Sequence, residues 1–138
     1  MKKILSILLL ALTLSHAHEF NDSMKIYMER LRAEAKAASP HFTDFDAKRG
    51  ESLFFSEHTG KKGAQMSCGT CHANDLKKDG VNIHTKKPIT ALAPSVQSTR
   101  LTDVVEVEKW LRRNFNDVFA REGTALEKGD VLTYIINQ

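Results

Sequence analysis

A chain of 138 residues, 41% hydrophobic and 27% charged, is long enough for one ordinary globular core and too short for several. Its 20 basic and 17 acidic side chains leave a net charge of +3. They are interleaved along the chain, which excludes the concentrated basic block of a nucleic-acid binder. Two cysteines are too few for a disulfide framework.

The chain opens Met1-Lys2-Lys3, runs apolar from Ile4 to Leu14 and reaches Ser15-His16-Ala17. A basic start, a short apolar run and small residues at the end predict a secretory signal peptide over 1–17, cut after Ala17. The run is well short of the ~20 residues that cross a bilayer, so no stable membrane anchor is expected after cleavage. Removing Lys2 and Lys3 leaves 18 basic against 17 acidic side chains in the expected mature chain, 18–138.

Phe20 to Ala38 reads as a helix, an N-terminal extension over 18–40. Met24, Tyr27, Met28, Leu31 and Ala35 recur at three- and four-residue steps, Asn21, Asp22 and Ser23 offer caps, and Pro40 ends it. A second helix is expected over Ala47–Phe55, capped by Asp44 or Asp46. Gly50 inside it costs ~1 kcal/mol against alanine, which close approach of another helix would explain. His58 to Gly63 reads as loop.

Cys68-Gly69-Thr70-Cys71-His72 is C-x-x-C-H, the attachment signature of a c-type haem. Two thiols three residues apart can bond the two vinyl groups of one haem, and the next histidine reaches the iron as proximal ligand. A thioredoxin-like pair would need a βαβ context that the chain lacks. Structural zinc would need a fourth ligand from His41, His58 or His84. A plain Cys68–Cys71 disulfide is the remaining rival. The leader and the helical pattern favour haem over all three.

Ala73 to Arg100 shows little periodicity and reads as loop, with no strand pattern of note. A loop of this length in a small domain usually covers something. Thr102 is expected to cap a helix from Asp103 to about Phe119. Thr124-Ala125-Leu126-Glu127 matches a capping box and opens a last helix to the C-terminus. The fold class is all-α. The order of parts resembles the cytochrome c fold, in which Gly50 and Tyr134 match the places where the first and last helices cross.

Ordinary cytochromes c use a methionine as sixth iron ligand. Here the methionines are Met1, Met24, Met28 and Met66, and none follows Cys71. On the helix over 103–119 the expected inward stripe is Val104, Val107, Leu111, Asn114 and Val118, so an asparagine falls where an apolar residue belongs. Asn114 is therefore a candidate distal ligand, with Trp110 one turn before it. His84 is the rival, since imidazole is the stronger ligand. Lys86, Lys87 and an open sixth position are further options.

The stretch Glu108-Lys109-Trp110-Leu111-Arg112-Arg113-Asn114-Phe115-Asn116 resembles the sphaeroides haem protein family, as do Leu92-Ala93-Pro94-Ser95 and Glu127-Lys128-Gly129-Asp130. The resemblance implies an exported monohaem cytochrome c, periplasmic, with one covalent haem c held by Cys68, Cys71 and His72. It implies Asn114 as a sixth ligand that leaves on reduction, after which O2 or NO binds. Trp110 is expected either to shield that pocket or to be a plain core tryptophan. Lys86, Lys87, Arg112 and Arg113 are expected to meet propionates or an acidic partner. The expected partner is a redox cytochrome, for example a dihaem cytochrome c. Phe115 and Gly123 stand where the family pattern has cysteines, so a disulfide beside the ligand is absent. Alternatives are a bis-histidine electron carrier, or a terminal reductase of O2, NO or peroxide. No sequence feature establishes turnover.

Overall fold

The computed structural model describes residues 18–138; the expected signal peptide, 1–17, lies outside them. The elements run α1 (Asp22–Ala38), α2 (Ala47–Phe55), β1 (His58–Thr59), β2 (Gln65–Met66), α3 (Gly69–His72), β3 (Gly80–Val81), β4 (Pro88–Ile89), α4 (Val104–Phe119) and α5 (Ala125–Ile136). Among the described residues, no helix is long and apolar enough to cross a membrane.

The organising contact is the crossing of α2 and α5. A Cβ on Gly50 would stand 2.0 Å from the Asp130 carbonyl oxygen and 3.0 Å from the Tyr134 Cβ, so only glycine admits this approach. Phe45 fills the next notch, against Gly129. Tyr134 packs on Phe54 and Phe55, with ring centroids 5.7 and 6.2 Å away. Arg49 fixes the crossing through two bonds to the buried Asp130 carboxylate, at 2.8 and 2.9 Å. The same carboxylate accepts the Asp46 backbone N–H at 2.7 Å.

α1 lies across α5 and α4. Its buried face is Met24, Tyr27, Met28, Leu31 and Ala35, the set its spacing predicts. It begins at Asp22 rather than Phe20, because Asn21 takes the cap and accepts from the Met24 N–H at 2.9 Å. The Asn21 amide also donates to the Thr102 carbonyl, and Arg30 pairs with Glu108, so the start and the middle of α1 are tied to the region of α4.

Other caps differ in detail from the sequence reading. Asp46, not Asp44, caps α2; the Asp44 carboxylate is taken by Arg32 and the Phe45 N–H. Asp103, not Thr102, caps α4, since the Thr102 hydroxyl donates to the Thr99 carbonyl instead. The capping box at α5 forms as expected between Thr124 and Glu127.

Two antiparallel ladders form, one starting in the segment read as loop over 58–63 and closing just beyond it, the other inside 73–100. β1 pairs with β2, with His58 opposite Met66; β3 pairs with β4, with Gly80 opposite Ile89. Strands of two residues are too short to show alternation, which is why the sequence hides them.

Candidate haem site

The haem motif is one helical turn. The His72 N–H bonds the Cys68 carbonyl at 3.0 Å, which brings Cys68 and Cys71 to one face and points the chain on to His72. Ahead of the turn, Thr70 Oγ1 accepts from the Ser67 N–H at 2.8 Å, and the Cys68 N–H reaches back to the Phe54 carbonyl at 3.1 Å. Gly69 lies under the Phe55 ring and Gly80 under the Cys71 carbonyl, where a Cβ would stand 1.9 Å from that oxygen. The β3–β4 hairpin is thus pressed onto the motif from one side and α2 from the other.

Both thiols are free and partly exposed. Burial, and then the neighbouring Cys71, push the Cys68 thiol up to about 12. A thiol so reluctant to ionise is the opposite of the acidic cysteine of a thioredoxin-like pair. Burial, and then the charge of Arg100, push the His72 imidazole down to about 4, so it is neutral at physiological pH, the form that ligates a metal. Its Nδ1 is buried with no hydrogen-bond partner among the described residues. Two thiols on one turn followed by a neutral, partly buried imidazole fit the two thioether bonds and one axial bond of a haem c.

The helix α4 carries the candidates for the other side. Its buried residues are Val107, Leu111, Phe115 and Val118. The expected stripe is therefore shifted: Phe115 takes the core position assigned to Asn114, and Asn114 stands half-buried at the edge. The carboxamide is not a polar group forced into the core, so burial cost gives no argument for its role. Among the described residues no hydrogen bond engages its side chain. Trp110 is 46% exposed, with its indole N–H donating to Glu106 and with Lys109 and Arg113 beside its ring. His84 is exposed at the β3–β4 tip, where the Asn82 side chain accepts its backbone N–H. Lys86, Lys87, Arg112 and Arg113 are exposed as well. Met24 and Met28 lie in the core against α1's neighbours, and Met66 is buried beside Gly60.

Two features escaped the sequence reading. The β1–β2 hairpin, which leads straight into the motif, also braces the end of α4: the Lys61 N–H bonds the Asp117 carbonyl at 3.0 Å, and the His58 ring lies 4.3 Å from that of Phe119. Arg100 is the second, a half-buried cation whose charge is felt at His72.

Comparison with known proteins accords with this geometry. A family model described as a domain of unknown function (DUF1924) matches residues 40–135. Cytochrome c-type protein SHP of Cereibacter sphaeroides is 45% identical over 105 residues, 76% of this chain and 78% of the relative. The oxidised structure of SHP, an oxygen-binding cytochrome c, superimposes with a TM-score of 0.68 at 41% identity, covering 80% of this chain and 96% of that one. The solution structure of cytochrome c'' from Methylophilus methylotrophus, presented as the structural basis of haem-ligand detachment, gives 0.73 at 26% identity, covering 84% and 94%. Fold and motif together define a c-type cytochrome with one covalently bound haem. Within that class the chain belongs to the SHP-like DUF1924 family.

Proposed function

We propose that this cytochrome is a periplasmic electron-transfer protein whose sixth iron ligand is Asn114, held in the oxidised state and released on reduction to admit O2 or NO. When bound, haem c supplies a one-electron Fe(III)/Fe(II) couple and a distal position for a small ligand. Cys68 and Cys71 would anchor it through thioether bonds, and the neutral His72 would ligate its iron. The observation that carries the reading is the state of Asn114: half-buried on α4, with its carboxamide free of hydrogen bonds to the described residues. Such an oxygen is a hard, weak donor, suited to Fe(III) better than to Fe(II). After release, its amide N–H groups remain nearby as donors. The names of the relatives support both halves, oxygen binding in SHP and ligand detachment in cytochrome c''.

His84 is less suited, because it stands exposed at a hairpin tip rather than on a packed helix, with its backbone N–H bonded to the Asn82 side chain. A redox partner such as a dihaem cytochrome c would meet the exposed Lys86, Lys87, Arg112 and Arg113. Export follows from the expected leader over 1–17.

The test is optical and EPR spectroscopy of the purified holoprotein, oxidised and reduced, with and without CO. Rapid CO binding to the ferrous form, and a ferric spectrum altered in Asn114→Ala but not in His84→Ala, are expected. A ferrous form inert to CO, or a ferric spectrum that responds only to His84→Ala, would replace this reading with a bis-histidine carrier.

A further inference from the structure

Seven arginines lie in the described residues. Arg30, Arg32, Arg49 and Arg121 pair with carboxylates. Arg112 and Arg113 are exposed to water. Arg100 alone is half-buried with no acidic partner among the described residues, and burial is the one influence that moves its acidity. A cation withdrawn from water without a counter-ion is costly, so its placement asks for an anion.

Its side chain is nonetheless fixed. Nε donates to the Ala91 carbonyl at 3.0 Å, and Nη2 donates to the Thr90 carbonyl and hydroxyl, both at 2.7 Å. That backbone is itself pinned. The Ala91 N–H bonds the Asp79 carboxylate at 2.8 Å, and the Leu92 and Ala93 N–H groups both bond the Leu76 carbonyl at 2.9 Å, four residues after His72. Neutral acceptors thus satisfy Nε and Nη2, while Nη1 keeps both of its N–H donors and the charge stays unmatched.

We infer that Arg100 is the anchoring cation for a haem propionate, received through Nη1, and that its charge raises the reduction potential of the iron. The inference rests on the covalent haem and not on the identity of the sixth ligand. A planar guanidinium is the group suited to a carboxylate at a fixed angle, and an ammonium is a poor substitute. A nearby positive charge favours the less positive ferrous state, so its removal lowers the potential.

The test uses full-length holoprotein, wild type beside Arg100→Gln, Arg100→Lys and the exposed control Lys36→Gln on α1. Covalent haem is first counted by pyridine haemochrome and intact mass; a wild type without it would undo the haem assignment itself. Potentials are then measured by spectroelectrochemistry, and propionate hydrogen bonding by the propionate bending band in resonance Raman spectra. Arg100→Gln is expected to lower the potential and shift the band, Arg100→Lys to shift the band with a smaller loss of potential, and Lys36→Gln to leave both near wild type. An unshifted band in Arg100→Gln overturns the anchoring role, whether or not the potential falls. Where Arg100→Gln does not accumulate, an unshifted band in Arg100→Lys does the same.

Discussion

The Phe115 ring lies over Gly123 so closely that a Cβ added there would stand 2.8 Å from three of its carbons. These two residues stand where the pattern of the family that the chain resembles has cysteines. The contact between them persists without a covalent bond, and the ring fills the space. Phe115 is 4% exposed and stacked on Phe119 with centroids 5.1 Å apart, so it has no free direction in which to yield. Gly123→Ala is therefore expected to destabilise by ~1–3 kcal/mol, the usual cost of overpacking. Because Phe115 follows Asn114 directly, the ferric spectrum should change with it. Thermal melts and ferric spectra check this; a variant of wild-type stability and spectrum would show that the ring is mobile.

The α2–α5 crossing gives a second prediction. Gly50→Ala places a methyl group against a backbone carbonyl that cannot rotate away, and its cost should reach or exceed the upper end of the ~1–3 kcal/mol typical of overpacking. Asp130→Ala removes an acceptor used by Arg49 and by the Asp46 N–H. Breaking a buried pair costs ~3–5 kcal/mol. Half of the Arg49 side chain faces water, so it re-solvates, and the lower end is expected. Denaturant unfolding of the two variants gives both values.

Much of this crossing was legible before any coordinates. Gly50 stands out because a glycine in a helix needs a reason, and Tyr134 because the cytochrome c fold that the chain resembles has an aromatic opposite that glycine. The Cys68–His72 motif was legible because attachment chemistry fixes its spacing. Asn114 was harder. Adjacent residues on a helix differ by ~100° in direction, so a stripe drawn through position 114 or 115 explains the sequence almost equally well, and only packing chose Phe115. Arg100 carried no signal, since its half-burial arises from the fold of Thr90–Ala93 around Leu76 and not from its neighbours in sequence.

The start of α5 sets part of the acid stability. The Arg121 bond, with the Thr124 N–H, holds the Glu127 carboxyl below its ordinary 4.5. A carboxyl depressed in the folded state stabilises fully above its unfolded value, and that contribution is lost as pH falls through the folded value. Glu127→Gln should therefore melt earlier than wild type at neutral pH, with the gap closing as pH drops below 4.5. A gap independent of pH would assign the effect to lost geometry in the capping box rather than to charge.

Gly80 and Gly63 offer a paired test of what holds the haem motif. At Gly63 a Cβ would meet nothing within 4 Å, but φ is +81°, so alanine strains the backbone alone, by ~1 kcal/mol. At Gly80 the added Cβ would stand 1.9 Å from the Cys71 carbonyl oxygen and 2.9 Å from the His72 Cα. Relief requires either the β3–β4 hairpin or the motif itself to shift. The motif is bonded to Phe54 through Cys68 and to the hairpin side through packing, so a shift there alters the seat of both thiols. Gly80→Ala is expected to lower the yield of covalent haem per protein, read by pyridine haemochrome against intact mass, while Gly63→Ala keeps the wild-type yield with a small loss in melting temperature. Equal haem yields in the two variants would mean that the hairpin gives way and the motif does not depend on it.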